Sequence, residues 1–303
     1  MDSPLSFPPG RKERDKKGSD VESGLLQLDQ VGRVGELWLE YTRQGTETVL
    51  SHFRSRSPWH LFPPISLDEA GCAYTLLLNP SGGLVGGDRL SMRASLGPRA
   101  HVLFGTPSAN RIYRSMSEPS SQSIDIAVAT AAILEWVPDL TIPFGGSRFH
   151  QALHVKLDAG AVVLLWDAIA SGRVARGERW AFASLENEIR ITTASGGSVL
   201  ERYHLSSPDR IGLAGEWDYL GSLYLIGESV ESEVWKRLEE SVAELLEERQ
   251  GRILGGVSEP SVRGLVIKLL AKSAPDLNTA LECLWTAARA QLWGLPLPAL
   301  RRY

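Results

Sequence analysis

From Leu26 onward apolar and polar positions alternate in short runs, broken by glycine, proline, serine and asparagine. Residues 35–41, 74–78, 100–105 and 123–128 are the first of these runs. In the last of them Ile124, Ile126 and Val128 fall on one side and Asp125 on the other, the period of two that a half-buried strand requires. Residues 133–136, 149–157, 161–166 and 185–191 continue the series. Many short strands with turn signals between them predict a mostly β fold of stacked strands, either β-helix-like or a sandwich. The period changes only late. Residues 229–250 place Val234, Leu238, Val242 and Leu245 at helical spacing with glutamates on the opposite face. A second helix, capped by Asp276, would bury Leu277, Leu281, Leu284, Ala288 and Leu292 before Gly294 and Pro296 stop it. Residues 265–270 between them have strand character, which gives a small α/β close. No internal repeat and no dividing linker is visible, so residues 23–303 are expected to form a single β-rich domain. The apolar faces of the two helices pack on the protein's own sheet or serve as partner surfaces.

Two stretches stand outside this pattern. Residues 1–22 are a polar leader in which Pro4, Pro8 and Pro9 precede a mixed-charge run over 11–17. Such a composition cannot build a core, and a disordered extension or a partner-binding tail is expected there. The second stretch is Asn79-Pro-Ser-Gly-Gly-Leu-Val-Gly-Gly-Asp-Arg89, which follows the apolar run 74–78. A phosphate loop requires Lys-Ser/Thr after its last glycine. Here Asp88-Arg89 stands in that place, and the aspartate would repel a phosphate. Residues 82–87 also lack the Gly-x-Gly-x-x-Gly order of a dinucleotide site. A tight turn between strands is the remaining reading.

Composition removes several classes of function. A net charge of −4 and a pI near 5.9 leave no electrostatic footprint for nucleic acid or an anionic membrane. Cys72 and Cys283 are far apart and form neither a disulfide framework nor a closed zinc site. No apolar run reaches the ~20 residues that span a bilayer. A cytoplasmic protein is the default expectation.

Candidate chemistry then rests on polar residues in apolar surroundings. There is no Gly-x-Ser-x-Gly elbow and no His-Glu-x-x-His. His150 and His154 share one face of a strand, as metal ligands or as ordinary half-exposed sheet residues. Glu135 lies between Leu134 and Trp136, Asp167 follows Trp166, and Glu201 follows Leu200. Glu178 closes the run 171–177, and Asp88 ends the glycine loop. A carboxylate drawn out of water costs several kcal/mol unless it is paired or bound to a cation. Arg89, Arg173, Arg176 and Arg202 stand near enough in sequence to neutralise them. Otherwise the carboxylates line one polar path for a divalent cation, or a pair such as Asp167 and Glu178 does acid/base work in a β-rich hydrolase or lyase.

Several blocks resemble the urease accessory protein D family, also called H in some organisms. They are the glycine loop 79–90, Asn110-Arg-Ile-Tyr-Arg-Ser115, Leu134-Glu-Trp-Val-Pro138, Trp166-Asp167, residues 171–178 and Val199-Leu-Glu-Arg202. The close around Trp285, Arg289, Gly294-Leu-Pro296 and Arg301-Arg302 completes the series in the family's order. The resemblance implies a β-rich fold with two helices and a non-enzymatic scaffold. That scaffold docks on apo-urease with a helical accessory partner (F type) and, through the complex, a GTPase (G type). It also implies transient nickel, with no tightly bound cofactor, passing an acidic internal tunnel. By motif Asp88, Asp167 and Glu201 match tunnel-lining positions, and Glu135 and Glu178 are further candidates. Where many relatives carry His-Pro-Pro at the start of the loop this chain has Asn79-Pro-Ser, an amide in place of an imidazole.

Overall fold

The computed structural model describes residues 33–67, 70–206 and 215–298, so the expectations for residues 1–22 and for Arg301-Arg302 lie outside it. Strands β1 (Val34–Gln44) and β2 (Glu47–Arg56) form a hairpin, followed by the short β3 (His60–Leu61) and β4 (Ile65–Ser66). The chain then winds. It runs through β5 (Ala73–Leu78), β6 (Arg89–Leu96), β7 (His101–Gly105), β8 (Asn110–Ile112) and β9 (Ser120–Val128). It continues as β10 (Ile133–Val137), β11 (Thr141–Pro143), β12 (Arg148–Leu157), β13 (Val162–Ala170) and β14 (Ser184–Thr192). β6, β9, β12 and β14 lie parallel in a first sheet, and β5, β7, β10 and β13 lie parallel in a second. β8 and β11 pair along a narrow third side.

Parallel neighbours need a crossover, and here each sheet supplies the crossover of the other. The result is a β-helical solenoid, which decides between the two stacked-strand architectures. Its coils repeat in backbone although no sequence repeat announces them, because what recurs is the inward and outward alternation rather than residue identity. β15 (Ser198–Leu205) adds antiparallel to β14 at one edge of the first sheet, whose order is β15-β14-β12-β9-β6-β1-β2. β16 (Tyr219–Ile226), β17 (Ile253–Ser258) and β18 (Gly264–Ala271) extend the second sheet antiparallel beyond β13.

Inward positions stack in register. Met92, Ile124, Leu153 and Ile189 are in-register neighbours across four strands and all are buried. Each such side chain contributes roughly 1.5–3 kcal/mol by leaving water. The second sheet is covered on both sides, and all nine residues of β13 are buried. Val163 and Leu165 face the first sheet, while Leu164, Trp166 and Ala168 belong to the opposite apolar layer. A strand covered on both faces reads as a continuous apolar run, as this one does.

Helices α1 (Ser232–Glu248) and α2 (Ala274–Trp293) form that opposite layer. Trp235, Leu238 and Val242 of α1, and Leu277, Leu281, Leu284 and Ala288 of α2, are buried in it. The apolar helix faces are therefore taken by the protein's own sheet. The cap of α2 differs from the sequence expectation. Ser273 is the N-cap, its Oγ accepting from the Asp276 N–H at 3.2 Å and donating to the Asp276 carboxylate at 2.6 Å. Asp276 is thus the third helical residue, held by the cap through its N–H and its carboxylate. Gly294 ends the helix in the left-handed region. Among the described residues no helix is long and apolar enough to cross a membrane.

Candidate functional site

One inward row of the first sheet breaks the apolar rule. Leu90, Gln122, Gln151 and Asn187 are in-register neighbours along the solenoid axis, and Tyr203 of β15 follows Asn187. The rows on either side of Gln151 are apolar, since Phe149 and Leu153 on the same side of β12 are buried. Across the interior, the second sheet presents Asp167, Ser222 and Lys268 in register from β13, β16 and β18. A polar lane therefore runs between two apolar layers.

Asp167 sits where these rows meet, 9% exposed. Gln151 donates to its Oδ1 at 3.1 Å, and Asn187 and Tyr203 donate to its Oδ2 at 2.8 and 3.3 Å. Burial pushes its carboxyl above the usual range, with the Gln151 bond first among the opposing contacts. Burial and the Asp167 charge raise the Tyr203 hydroxyl well above its ordinary value, which keeps it a donor. Asp167 lines two cavities. The smaller, about 90 Å³, is lined also by Asn79, Asn110, Gln122, Thr141 and Gln151. The larger, about 520 Å³, holds Glu201, Tyr203, Ser222 and Lys268 and reaches the surface at Leu254, 55% exposed.

Glu201 comes into the larger cavity from β15. Tyr224 donates to it at 2.6 Å, and Lys268 contacts it as an ion pair. Lys268 also donates to Ser222 at 2.9 Å and to Tyr224 at 3.1 Å. Desolvation pushes the Lys268 ammonium down to about 8, with the attraction of Asp167 opposing it. The cavity is thus acidic with a resident positive charge.

The other predicted carboxylates lie elsewhere. Glu135 points to the helical layer, where His101 bonds it at 2.6 Å and Trp285 and Arg289 of α2 donate to it. Cys72, His101 and Glu135 bring ligating atoms within 4.8 Å of one another. The Arg289 guanidinium on the same carboxylate opposes a cation there. Glu178 is paired with Arg173, which holds its carboxyl below the usual range, and accepts from the Gly145 N–H at 2.7 Å. Asp88 accepts from the Val85 N–H at 2.9 Å within the glycine loop, and burial pushes its carboxyl up. Of the arginines near in sequence only Arg173 pairs with the expected carboxylate. Arg89 pairs with Glu118 and Arg202 with Glu188. Asp167 and Glu178 have different partners, the one amides and a phenol, the other Arg173 and the Gly145 N–H.

The glycine loop is a packing device. A Cβ on Gly83, at φ 154°, would stand 2.3 Å from the Arg111 carbonyl oxygen. Asn79 stabilises the turn, donating to the Gly83 carbonyl at 3.3 Å and accepting from the Ser81 N–H at 3.1 Å. His150 and His154 are half-exposed on the outer face of the first sheet. The sequence reading missed Gln122, Gln151, Asn187, Tyr203 and Lys268. The amides were signalled by inward parity alone, as in Phe149-x-Gln151-x-Leu153 and Leu185-x-Asn187-x-Ile189.

Comparison with known proteins gives a consistent result. A family profile described as UreD urease accessory protein matches residues 33–303. The chain is 30% identical over 266 residues to the urease accessory protein UreD of Polaromonas naphthalenivorans, covering 86% of this chain and 95% of that one. It is 29% identical over 291 residues to the protein of the same name from Cenarchaeum symbiosum, covering 92% and 99%. The one from Acaryochloris marina is 33% identical over 210 residues, 68% of this chain and 74% of the relative.

Proposed function

The chain belongs to the UreD urease accessory protein family, and from that premise we propose that it serves urease maturation as a non-enzymatic scaffold that helps load nickel. It docks on apo-urease with a helical F-type partner and, through that complex, a G-type GTPase. Nickel is its cargo and has no resident site. The ion passes through the interior, by way of Asp167 and Glu201.

The observation that carries this reading is the place of Asp167, a buried carboxylate that lines two cavities and is bonded by the inward row Gln151, Asn187 and Tyr203. Amide oxygens and single carboxylates bind a divalent ion weakly enough to release it, whereas thiolates and clustered imidazoles retain nickel. Neither cavity is lined by a cysteine or a histidine among the described residues. Lys268 supplies the positive charge that buried carboxylates require in the absence of a metal. An entering divalent ion competes with that ammonium for the carboxylates. Asp88, Glu135 and Glu178 line neither cavity and act on the fold beside the path.

The test is the nickel content of urease co-expressed with its accessory set. Without this chain nickel loading collapses. With Asp167→Asn/Glu201→Gln the accessory complex still co-purifies with urease while nickel per active site falls severalfold. Full loading by the double variant would sink the path assignment and leave only a docking role.

A further inference from the structure

On the reading that nickel passes by Asp167 and Glu201, we propose that Lys268 is the release group of the path: its ammonium yields Glu201 to the incoming ion and then reclaims it. The two carboxylates of the larger cavity differ in their cover. Asp167 is met by the neutral donors Gln151, Asn187 and Tyr203. The Lys268 ammonium instead touches Glu201 at Oε2, the oxygen that also accepts from Tyr224. A divalent ion bound through that oxygen and the ammonium repel each other at contact, so one displaces the other.

The displaced ammonium has a place to wait. It donates to Ser222 at 2.9 Å and to the Tyr224 hydroxyl at 3.1 Å, and it lies 5.0 Å from the centre of the Tyr224 ring. With Glu201 these contacts use its three donors. Letting go of Glu201 leaves two of them made, and the ring face still attracts the charge. The side chain is half-exposed, so water takes the third. In strand order β18 stands between β17, where the cavity reaches the surface at Leu254, and β16 and β13. Lys268 is therefore placed between Asp167 and that mouth.

The residue type supports the same role. Other ion-paired carboxylates of comparable or deeper burial are closed by arginine: Glu135 by Arg289, Glu178 by Arg173, Glu188 by Arg202 and Asp218 by Arg179. A guanidinium is a planar, preorganised fork that fixes a carboxylate, whereas an ammonium is a single charge on a flexible stem. Glu201, on the path, has the displaceable partner. Lys268 thereby keeps the hold on nickel weak by competition and returns the carboxylate to a neutral pair once the ion has gone.

The experiment is calorimetric titration of Ni²⁺ alone into the full chain without a histidine tag, paired with the nickel content of urease co-expressed with the accessory set. Lys268→Met, which keeps the stem and removes the charge, binds nickel roughly tenfold more tightly than the wild type. Lys268→Arg does not. The gain disappears in Lys268→Met/Glu201→Gln, which assigns it to the bared carboxylate. In cells the tighter variant delivers less, so nickel per urease active site falls severalfold while this chain retains more. Circular dichroism establishes that each variant is folded. Equal nickel affinity of the wild type and the folded Lys268→Met chain, or full loading of urease by that variant, would overturn the release role. If Asp167→Asn/Glu201→Gln lowers loading while Lys268→Met leaves it intact, the path stands and the release role falls. If both load urease fully, the path falls with it.

Discussion

Three inward or buried carboxylates are compensated in three different ways. Asp167 is met by two amides and a phenol, Glu201 by an ammonium, and Glu135 by a guanidinium, an imidazole and an indole. The amide solution leaves a net charge uncancelled at contact distance, and it has a pH signature. Burial raises the carboxyl of Asp167 in the folded state above its unfolded value, so the folded protein binds the extra proton. Stability therefore falls as pH rises from about 4, the ordinary carboxylate value, to the raised one. Asp167→Asn removes this dependence. Denaturant midpoints measured from acid to neutral pH are expected to show the wild type losing ground to Asp167→Asn through that window, and parallel curves would contradict it. In the sequence, Asp167 and Glu201 stood out as carboxylates following apolar runs. Their partners did not, because each is brought from a distant strand: Asn187 and Tyr203 to Asp167, Lys268 to Glu201. The arginines adjacent in sequence misled for the same reason. On a strand a neighbouring residue points to the other face, so Arg202 is outside where Glu201 is inside.

At the scale of elements, the joint between α2 and the solenoid is polar at its centre. Arg289 and Trp285 reach from the helix to Glu135 on β10, all three fully buried. Removing one partner of a buried pair strands the other charge, a loss of about 3–5 kcal/mol. Arg289→Met and Glu135→Gln should each be destabilising, and the double variant should cost clearly less than the sum of the two. Equilibrium urea unfolding measures all four corners, and additive costs would show that the pair is not coupled. Strands with strong apolar alternation, such as β9 and β12, were legible in the sequence. β6 alternates just as cleanly, Leu90, Met92, Ala94 and Leu96 inward against arginine and serine outward, but directly behind the glycine loop it escaped notice. β15 was obscured because Glu201 and Tyr203 point inward and Leu200 outward. The cap of α2 was misplaced by one turn because serine and aspartate at this spacing each suit an N-cap, and the hydrogen bonds alone assign the roles.

At the scale of the whole molecule, a solenoid offers an interior that is continuous from coil to coil, and this one is not filled uniformly. An apolar residue at every inward position would be more stable, since a buried polar group with poor partners costs about 1–3 kcal/mol. Gln122 is the clearest case. It lines the smaller cavity, its in-register neighbour Leu90 is apolar, and its hydrogen bond from Asn110 is long at 3.5 Å. Packing alone would favour leucine there. If the lane exists for a cation, Gln122→Leu should fold with equal or higher stability, by up to about 1 kcal/mol, and still lower the nickel content of co-expressed urease. The two readouts moving in opposite directions would separate a transport role from a structural one, because a structural residue loses both together. Full nickel loading by a stable Gln122→Leu would place the start of the route at Asp167, with the smaller cavity outside it.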